Sequence, residues 1–295
     1  MRIVLAGALG EVGRSLHVAL TKHGHDVVPV SSRAPVTGAP DVLGIPDVGS
    51  LVSAGAVDAF VQAGGPGDHR ARQGDAHRGT SELLEICTEL PSVLISTSRV
   101  LEGYRQTPPE SAAGKPSTAY GQANTDHEQM WLTYPHTRIL RMVNYFCSPA
   151  RVDSPQVQLL PWSLLVEGWR TGRIAVRSAD STVREFIDAA DASLAIEVLL
   201  GEAPNDRIVV ATPGLVASLK ELGEASIQVC NEVGRHGVIA SFGNESSGAP
   251  WQLSPGWLTE RGWASELTLD RMATEMSRWL VEWGPSVLDS SRDEG

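Results

Sequence analysis

The stretch that decides the fold is RIVLAGALGEVGRSLHVALTKHGHDVVPV, residues 2–30. Residues 2–6 form a short apolar run, and residues 26–30 form a second one. Between the two runs, apolar residues recur at helical spacing and Gly24 is placed as a helix C-cap. The pattern predicts a strand, a helix and a second strand, with the glycines of GALGEVG (7–13) at the turn from strand to helix.

The glycines of this turn have distinct predicted roles. Gly7 would form the turn, Gly10 would allow a ligand to approach the backbone closely, and Gly13 would let the helix pack on the strand. The free N–H groups and the positive dipole end of the helix suit the pyrophosphate of a dinucleotide. A tight turn without a ligand is the structural alternative. The cofactor-binding residues predicted here are Gly7, Leu9, Gly10, Glu11, Val12 and Gly13.

The second apolar run is followed by Ser31, Ser32 and Arg33. An acid at this place commonly binds the ribose 2′-hydroxyl of NAD, whereas an arginine suits a 2′-phosphate. We therefore add these three residues to the predicted cofactor site, and they favour NADP(H) over NAD(H). A solvated surface arginine is the alternative interpretation of Arg33.

Strands and helices alternate through the middle of the chain. VDAFVQAGG (57–65) and PSVLISTS (91–98) are apolar runs that end in glycines or hydroxyls, and a helical pattern (77–90) lies between them. This alternation predicts an α/β fold, a Rossmann-type doubly wound parallel sheet. Ligands of such sheets bind beyond the carboxyl ends of the strands. That rule extends the predicted cofactor site to Ala63, Gly64, Gly65 and Ser96.

A pair of residues suited to proton transfer follows. Thr97 ends one apolar run, and Tyr120 lies in the first turn of a helix that begins after a loop rich in proline, glycine and serine (103–118). A tyrosine beside a hydroxyl at a strand end can act as a general acid toward a carbonyl. On this pattern alone, a helix-surface aromatic without a role is the better interpretation of Tyr120.

Several segments together resemble the extended short-chain dehydrogenase/reductases, the NAD-dependent epimerase/dehydratase family. They keep the family's order over residues 1–283. Within the family, the length and the short C-terminal part are most similar to dTDP-4-dehydrorhamnose reductase and the deoxysugar 4-ketoreductases. The matching segments are GALGEVG (7–13), ISTSRVLEG (95–103), STAYGQAN (117–124), RMVNYFCSP (141–149), VREFIDAADASLA (183–195) and RGWASELTLDRMATEMSRWLVEW (261–283).

The resemblance implies roles for individual residues. Thr97 falls on the hydroxyl that polarises the substrate oxygen, and Tyr120 falls on the catalytic acid/base. Ser98 is placed on the substrate side. Asn144 and Arg184 fall on positions that contact the diphosphate of a nucleotide sugar, and an amide and a guanidinium both suit phosphate oxygens. A loop-capping asparagine and a surface ion pair are the structural alternatives for these two.

One position departs from the family pattern. The family has a lysine four residues after the tyrosine, and this chain has Asn124 there, which we include among the catalytic residues. Asparagine can bind the nicotinamide ribose but cannot supply the positive charge that lowers the pKa of the tyrosine. Tyr120 would then remain a proton donor at neutral pH, which suits reduction. Lys115 and His127 are possible substitutes for the missing charge.

The resemblance also implies a domain organisation and a function. Residues 1–150 would form a dinucleotide-binding domain to which 187–200 return, 151–283 would be mostly a substrate-binding part, and 284–295 a flexible tail. The implied activity is NAD(P)H-dependent reduction of a keto group on a nucleotide-linked deoxysugar or a related small molecule. One alternative is a nucleotide-sugar epimerase or dehydratase with tightly bound NAD(P). The other is a non-catalytic or non-redox member of the fold.

Composition and resemblance together narrow the partners. With 24 basic and 35 acidic residues, the net charge is -11, which argues against nucleic acid or an anionic membrane as a partner. Three widely spaced cysteines without a CxxC pair argue against a disulfide framework and against a metal site. Without a signal segment or a run of about 18 apolar residues, the expected location is the cytoplasm. The family pairs through its tyrosine-bearing helix, so a homodimer is expected, with Met130 and Trp131 as contacts.

Overall fold

The apolar run at residues 2–6 folds as a strand that is buried on both faces. Its residues Ile3, Val4 and Leu5 are fully buried. Burial on both faces is typical of a parallel sheet that is covered by helices on each side. The computed structural model of the protein describes residues 1–31, 41–65, 81–245 and 252–289.

The described residues form eleven strands and nine helices. The strands are β1 (Arg2–Ala6), β2 (Asp26–Val30), β3 (Ala59–Gln62), β4 (Ser92–Thr97), β5 (Thr137–Met142), β6 (Asn144–Phe146), β7 (Arg173–Ser178), β8 (Val183–Asp188), β9 (Ile208–Ala211), β10 (Leu215–Ser218) and β11 (Ile239–Glu245). The helices are α1 (Glu11–Lys22), α2 (Ile45–Ser53), α3 (described over 81–86), α4 (Ala119–Trp131), α5 (Trp162–Thr171), α6 (Ala189–Gly201), α7 (Leu219–Glu232), α8 (Trp257–Glu260) and α9 (Leu269–Asp289). Within these ranges, no helix combines the length and the apolar character needed to cross a bilayer.

The chain divides into two compact units. The first comprises the described residues of Met1–Tyr145, Ala189–Pro213 and Ala249–Ser265, and the second comprises the described residues of Phe146–Asp188, Gly214–Gly248 and Glu266–Gly295. The first unit therefore takes up two segments from the C-terminal half of the chain. One of them contains α6 and β9, and the other contains α8.

The first unit is built on a six-stranded sheet in the order β2-β1-β3-β4-β5-β9, and every neighbouring pair of strands is parallel. Helix α1 connects β1 to β2 and buries Gly13, Leu16, Ala19 and Leu20 along one face. This apolar stripe at helical spacing is the one that the sequence shows. The parallel sheet with flanking helices confirms the predicted Rossmann-type α/β fold.

Beyond β2, the described residues continue the sheet with a single parallel bridge between Val30 and Leu43. The Leu43 N–H donates to the Pro29 carbonyl at 2.9 Å, and the Ser31 N–H donates to the Leu43 carbonyl at 3.1 Å. This bridge occupies the place of the outermost strand in the strand order 3-2-1-4-5-6 of dinucleotide-binding folds.

The second unit has its own apolar core. Strands β8 and β10 are antiparallel, and β7 and β11 are parallel. Phe146 stacks on Trp162 with ring centroids 5.3 Å apart, and Trp279 meets Trp162 edge-on at 5.4 Å. The Trp279 indole donates to the Pro149 carbonyl at 3.0 Å, so its polar edge is satisfied inside the core.

The predicted flexible tail from residue 284 is wrong for its first half. Helix α9 runs on through Pro285 to Asp289, and Val287 is buried in the core of the second unit. The Gly284 carbonyl accepts a hydrogen bond from the Trp169 indole at 3.0 Å. Packing of the apolar face of α9 therefore orders a segment that was predicted to be flexible. Residues 290–295 lie outside the described part of the chain.

One predicted dimer contact is also wrong. Trp131, at the end of α4, is fully buried and stacks on Phe60 of β3 with ring centroids 5.6 Å apart. It belongs to the core beneath the sheet and cannot contact a second chain. Met130, its neighbour, packs against the same core and accepts a hydrogen bond from Ser81 on its sulfur.

Candidate active site

The turn after β1 is held by close packing of backbone on backbone. Gly7 has a φ of +78°, and a Cβ at this position would overlap the backbone of Gly64. A Cβ at Gly13 would overlap the carbonyl group of Gly7. Only glycine fits at both positions, so the turn brings the ends of β1 and β3 together at the carboxyl edge of the sheet.

The amino end of α1 has no side-chain cap. Gly10 is the N-cap and carries no side chain that could bind the N–H groups of the first turn. Those groups and the positive dipole end of the helix are the features that bind a pyrophosphate. Glu11 adds a carboxylate to the first turn, which opposes an anion, and Arg14 pairs with it at 2.5 Å. Together with the Gly7–Gly64 contact, the donor set fits a dinucleotide that is held mainly by backbone groups.

Some of the remaining predicted cofactor residues are in the described part of the chain. Leu9 is exposed, Val12 is half-buried, and Ser31 is buried at the end of β2. Ser32 and Arg33 lie outside the described residues. The Ala63 N–H donates to the Ala6 carbonyl at 3.0 Å, which carries the chain on from β3 beside β1.

The segment that follows β3, residues 63–65, lies close to α4, the helix that carries Tyr120. Gly65 is exposed, and a Cβ there would lie 3.7 Å from the Asn124 Oδ1 atom. The predicted cofactor segment 63–65 and α4 therefore meet at this edge of the sheet. Asn124 itself is buried, and its Nδ2 donates to the Tyr120 carbonyl at 2.9 Å, one turn earlier in the helix.

Tyr120 lies in the first turn of α4, as predicted. Thr118 is the N-cap of the helix, and its hydroxyl accepts a hydrogen bond from the Gly121 N–H at 3.1 Å. Gly121 permits close packing, since a Cβ there would lie 3.0 Å from the Arg99 carbonyl oxygen. The start of α4 therefore packs directly on the 3₁₀ turn Ser98–Leu101, which follows β4.

Three predicted catalytic residues come together at this point. The Thr97 hydroxyl and the Asn124 amide both lie within hydrogen-bonding reach of the Tyr120 hydroxyl. Burial raises the pKa of Tyr120, while the Arg99 guanidinium, the Thr97 hydroxyl and the Asn124 amide lower it by smaller amounts. The pKa of the phenol is raised on balance, so Tyr120 keeps its proton at neutral pH.

Arg99 is the charge that sequence reasoning missed. The two residues considered as substitutes for a lysine have other contacts: Lys115 lies 5.4 Å above the Tyr104 ring, and His127 is buried edge-on against Trp131. Arg99 follows Thr97 by two residues, so its closeness to the chemistry could be read from the strand end. Its action on Tyr120 could not, because it depends on the packing of the 3₁₀ turn against α4.

A buried ion pair links the elements that carry this cluster. Glu128 and Arg141 are paired at 2.7 Å, and a second contact of 3.0 Å joins the Arg141 Nε to the same carboxylate. Ser96 also donates its hydroxyl proton to Glu128, at 2.6 Å. Ser96, which we predicted to bind the cofactor, therefore already uses its hydroxyl hydrogen within the protein. The network joins β4, α4 and β5.

Arg141 also fixes the loop between β4 and α4. Its Nη1 donates to the carbonyl groups of Glu110 and Ala112, at 2.9 and 2.8 Å. The Glu110 carboxylate in turn accepts from the Val210 N–H at 3.1 Å and from the Trp257 N–H at 2.8 Å. Glu110 therefore links its own loop to β5, through Arg141, to β9 and to α8, all in the first unit.

The predicted substrate-side residues are divided between the two units. Ser98 begins the 3₁₀ turn after Thr97, and Asn144 begins β6, both in the first unit. Arg184 lies in β8 of the second unit, where its Nη1 donates to the Val183 carbonyl at 2.9 Å. Within the described ranges, no cluster of three or more histidine, cysteine or acidic residues is arranged to hold a metal ion.

Comparison with known proteins points to one family. Residues 3–211 match the model of the NAD dependent epimerase/dehydratase family. No curated protein matches the chain in sequence. A solved UDP-glucuronic acid 4-epimerase from Bacillus cereus, in complex with UDP-glucuronic acid and NAD, is similar with a TM-score of 0.67 and 16% identity, covering 96% of this chain and 99% of that one.

Two further solved structures have the same fold. A dTDP-glucose 4,6-dehydratase from Streptomyces venezuelae has a TM-score of 0.70 and 18% identity, covering 96% of this chain and 98% of that one. An L-threonine dehydrogenase from Phytophthora infestans has a TM-score of 0.71 and 17% identity, covering 95% of this chain and 99% of that one. At such identities the likeness is one of fold.

Proposed function

The chain belongs to the NAD dependent epimerase/dehydratase family, and from that premise we propose that it is an NAD(P)H-dependent reductase of a keto group on a nucleotide-linked deoxysugar or a related small molecule. One observation carries the proposal. The Tyr120 phenol, with the Thr97 hydroxyl and the Asn124 amide beside it, has a raised pKa and so holds its proton. A protonated phenol donates to a carbonyl oxygen that gains negative charge, and it makes a poor base.

The residues of the cluster divide the work of proton transfer. The hydride would come from the reduced nicotinamide of a cofactor held by the glycine turn. The Thr97 hydroxyl donates a hydrogen bond to the substrate oxygen and orients it, and the Tyr120 hydroxyl gives its proton to that oxygen. Asn124 fixes the first turn of α4 through its bond to the Tyr120 carbonyl, so the phenol stays aimed at the strand end.

The residues that would hold the dinucleotide are those of the glycine turn. The backbone of 7–13 would bind the pyrophosphate, and Gly64 and Gly65 would pass beside the nicotinamide half on the way to Asn124. Arg33 supports a preference for NADP(H), since a guanidinium suits a 2′-phosphate. Solved structures of similar fold contain NAD, so both cofactors belong in the binding test.

The first experiment is a titration of the protein with NADPH and, in parallel, with NADH. Quenching of its eight tryptophans reports binding. We expect micromolar binding of NADPH and weaker binding of NADH, and we expect Arg33→Ala to remove the difference. If a folded protein binds neither cofactor, reduction is the wrong assignment and a non-redox role takes its place.

The second experiment tests the chemistry. Keto-sugar nucleotides are screened with the preferred cofactor, and any turnover is compared with that of Tyr120→Phe. Turnover should be lost in the variant while cofactor binding is retained, because the substitution removes only the phenol hydroxyl and leaves the glycine turn unchanged. Equal turnover in the two proteins rejects Tyr120 as the acid.

Epimerisation or dehydration of a nucleotide sugar is the second candidate, and it is favoured by the family and by the epimerase and the dehydratase of similar fold. It needs Tyr120 to take up a proton as well as give one, which the raised pKa opposes. The two candidates differ in cofactor use. An epimerase or dehydratase that recycles its cofactor would release stoichiometric NAD(P) on denaturation and would convert its substrate without added cofactor.

A further inference from the structure

The Ser15 hydroxyl lies in α1, the helix whose amino end would hold the dinucleotide. Its hydrogen is directed at the carbonyl oxygens of Glu11 and Val12, each 2.9 Å from the Ser15 Oγ. The Tyr145 hydroxyl lies 2.7 Å from the same Oγ atom, although the two residues are 130 positions apart. A carbonyl oxygen can only accept, so the single hydrogen of Ser15 goes to the carbonyls and Tyr145 is the donor to Ser15. These hydrogen bonds therefore form a chain that runs in one direction.

The chain ends on peptide groups of the first turn of α1. The first hydrogen bond of the helix joins the Arg14 N–H to the Gly10 carbonyl at 2.9 Å. The N–H groups of Val12 and Gly13 therefore lie outside the ladder of helical bonds. The Val12 N–H shares its peptide with the Glu11 carbonyl, and the Gly13 N–H shares its peptide with the Val12 carbonyl. In a helix the two groups of one peptide point in opposite directions, so these N–H groups point toward the amino end.

We propose that Tyr145 and Ser15 form a hydrogen-bond relay that strengthens the Val12 and Gly13 N–H groups as donors to the pyrophosphate of the dinucleotide. Each bond of a head-to-tail chain polarises the next one, and resonance in the peptide carries the effect from the carbonyl to the N–H. The inference rests on the proposed function for the identity of the ligand, whereas the hydrogen bonds belong to the protein alone. Tyr145 and Ser15 are positioning residues here, since they act through peptide groups.

The charges at this end of α1 make the strength of the backbone donors important. Glu11 lies in the first turn and opposes an anion, and Arg14 is paired with the Glu11 carboxylate at 2.5 Å. The two side chains therefore cancel one another in their effect on a bound pyrophosphate. An anion at this end would be held mainly by N–H groups, so its affinity depends on how strongly those groups donate.

The relay also joins two parts of the first unit that are predicted to bind different ligands. Tyr145 is the second residue of β6, directly after Asn144, and both belong to the first unit together with α1. Asn144 is predicted to contact the diphosphate of a nucleotide sugar. The Tyr145 hydroxyl thus ties the strand on the substrate side to the helix on the cofactor side. A phenylalanine at 145 would leave the contacts of Ser15 within α1 in place and would remove only this link.

The test measures ligand affinity in variants that each remove one link. Tyr145→Phe removes the first donor, and Ser15→Ala removes the second. Ser15→Thr restores a hydroxyl that can bond a carbonyl one turn back in the helix. Tyr104→Phe is the control, because the Tyr104 hydroxyl also donates to a backbone carbonyl, that of Ala113 at 3.0 Å, in the loop before α4. Calorimetry gives the dissociation constants of NADPH and of ADP-ribose, which has the pyrophosphate but no nicotinamide, for variants that circular dichroism shows to be folded.

We expect Tyr145→Phe to weaken the binding of both ligands about two- to fivefold, the share of one neutral hydrogen bond that polarisation can pass on. Ser15→Ala should weaken binding at least as much, and Ser15→Thr should restore most of it. The double variant should bind no more weakly than Ser15→Ala, because Tyr145 acts only through Ser15. Tyr104→Phe should leave both constants unchanged. Single effects that add up in the double variant, or equal constants for Tyr145→Phe and Tyr104→Phe, overturn the proposal.

Nuclear magnetic resonance tests the relay in the protein without cofactor. The amide nitrogen-15 signals of Val12 and Gly13 report the polarisation of their peptide groups. Tyr145→Phe should move these two signals upfield, because a weaker hydrogen bond at the carbonyl deshields the nitrogen less, and Tyr104→Phe should leave them in place. In the wild-type protein, the same two signals should shift on titration with inorganic pyrophosphate. If they do not move in Tyr145→Phe, the relay is rejected even where the affinity falls.

Failure of this inference and failure of the proposed function give different results. If Tyr145→Phe binds NADPH as tightly as the wild type while Tyr120→Phe abolishes reduction, the reductase stands and the relay has no role in binding. If the affinity for ADP-ribose falls in Tyr145→Phe but no keto substrate is reduced, the relay stands and the function is another. If neither dinucleotide nor pyrophosphate binds to the folded protein, both are rejected.

Discussion

Two regions at the carboxyl edge of one sheet are built in different ways. The turn after β1 is made of backbone, and its shape depends on the missing side chains of Gly7 and Gly13. The cluster after β4 is made of side chains on two elements, Thr97 on the strand and Tyr120 and Asn124 on α4. The turn therefore depends on close packing of backbone, whereas the cluster depends on side chains that a strand and a helix bring together.

The largest expected effect separates the two regions by activity. Tyr120→Phe removes the proton donor and should lower turnover about 10²- to 10⁴-fold, the usual contribution of general acid catalysis. The dissociation constant of the dinucleotide should stay within about twofold, because the glycine turn is untouched. Steady-state kinetics and fluorescence titration on the same preparation check both. Loss of dinucleotide binding in this variant would mean that the two regions are not separable.

The next effect concerns the support of the cluster. Arg141→Met leaves Glu128 buried without its partner and should cost about 3–5 kcal/mol of stability. Arg151→Met breaks the exposed pair with Asp153, whose side chains are 70% and 66% exposed, and should cost less than about 0.5 kcal/mol. Urea unfolding of both variants gives the comparison. Similar losses in the two would show that the buried pair does not hold the cluster in place.

A third effect tests the turn. Gly7→Ala forces a side chain onto a positive φ and into the backbone of Gly64, and should cost about 3 kcal/mol and abolish dinucleotide binding. Gly24→Ala is the matched control, since Gly24 has a φ of +86° with nothing within 4 Å of its Cβ position. It should cost only about 1 kcal/mol and leave binding intact. Thermal unfolding and fluorescence titration distinguish the clash from the strain.

The smallest expected effect is that of pH on reduction. Burial raises the pKa of Tyr120. The phenol therefore keeps its proton at every pH below the ordinary pKa of a phenol and loses it only at higher pH. We expect kcat for reduction to be level between about pH 6 and pH 9. A rate that climbs about tenfold with each pH unit in this range would show Tyr120 acting as a base, which favours the epimerase or dehydratase.

The sequence predicts those features of the fold that have a local cause and misses those that depend on tertiary contacts. Glycine spacing and apolar runs predicted the turn, α1 and the strands β1 to β4, because their cause is local. The Val30–Leu43 bridge beside β2 was not predicted, because it depends on which backbone groups find partners. The burial of Val287 was missed because Gly284 and Pro285 suggested a break that tertiary packing overrides.

The site was predicted to a similar degree. Thr97, Tyr120 and Asn124 could be placed together through the family resemblance, because the order of strand, loop and helix alone favoured no role for Tyr120. The charge of Arg99 and the use of Ser96 by Glu128 could not, because both depend on contacts between elements that are distant in sequence. Arg33, the residue on which the cofactor preference depends, lies outside the described residues and remains a prediction.

Glu110 has a consequence for how the protein is made. Its carboxylate accepts hydrogen bonds from Val210 and from Trp257, and Trp257 lies 147 positions after Glu110 in the chain. A ribosome that has released the first five strands has therefore not yet supplied the partners that fix the loop before α4. The first unit is completed only after its segment 252–265 has been translated, and a fragment that stops at the last strand of the sheet would be a poor substitute for it. Anyone who wishes to isolate the first unit should keep residues 252–265 joined to it.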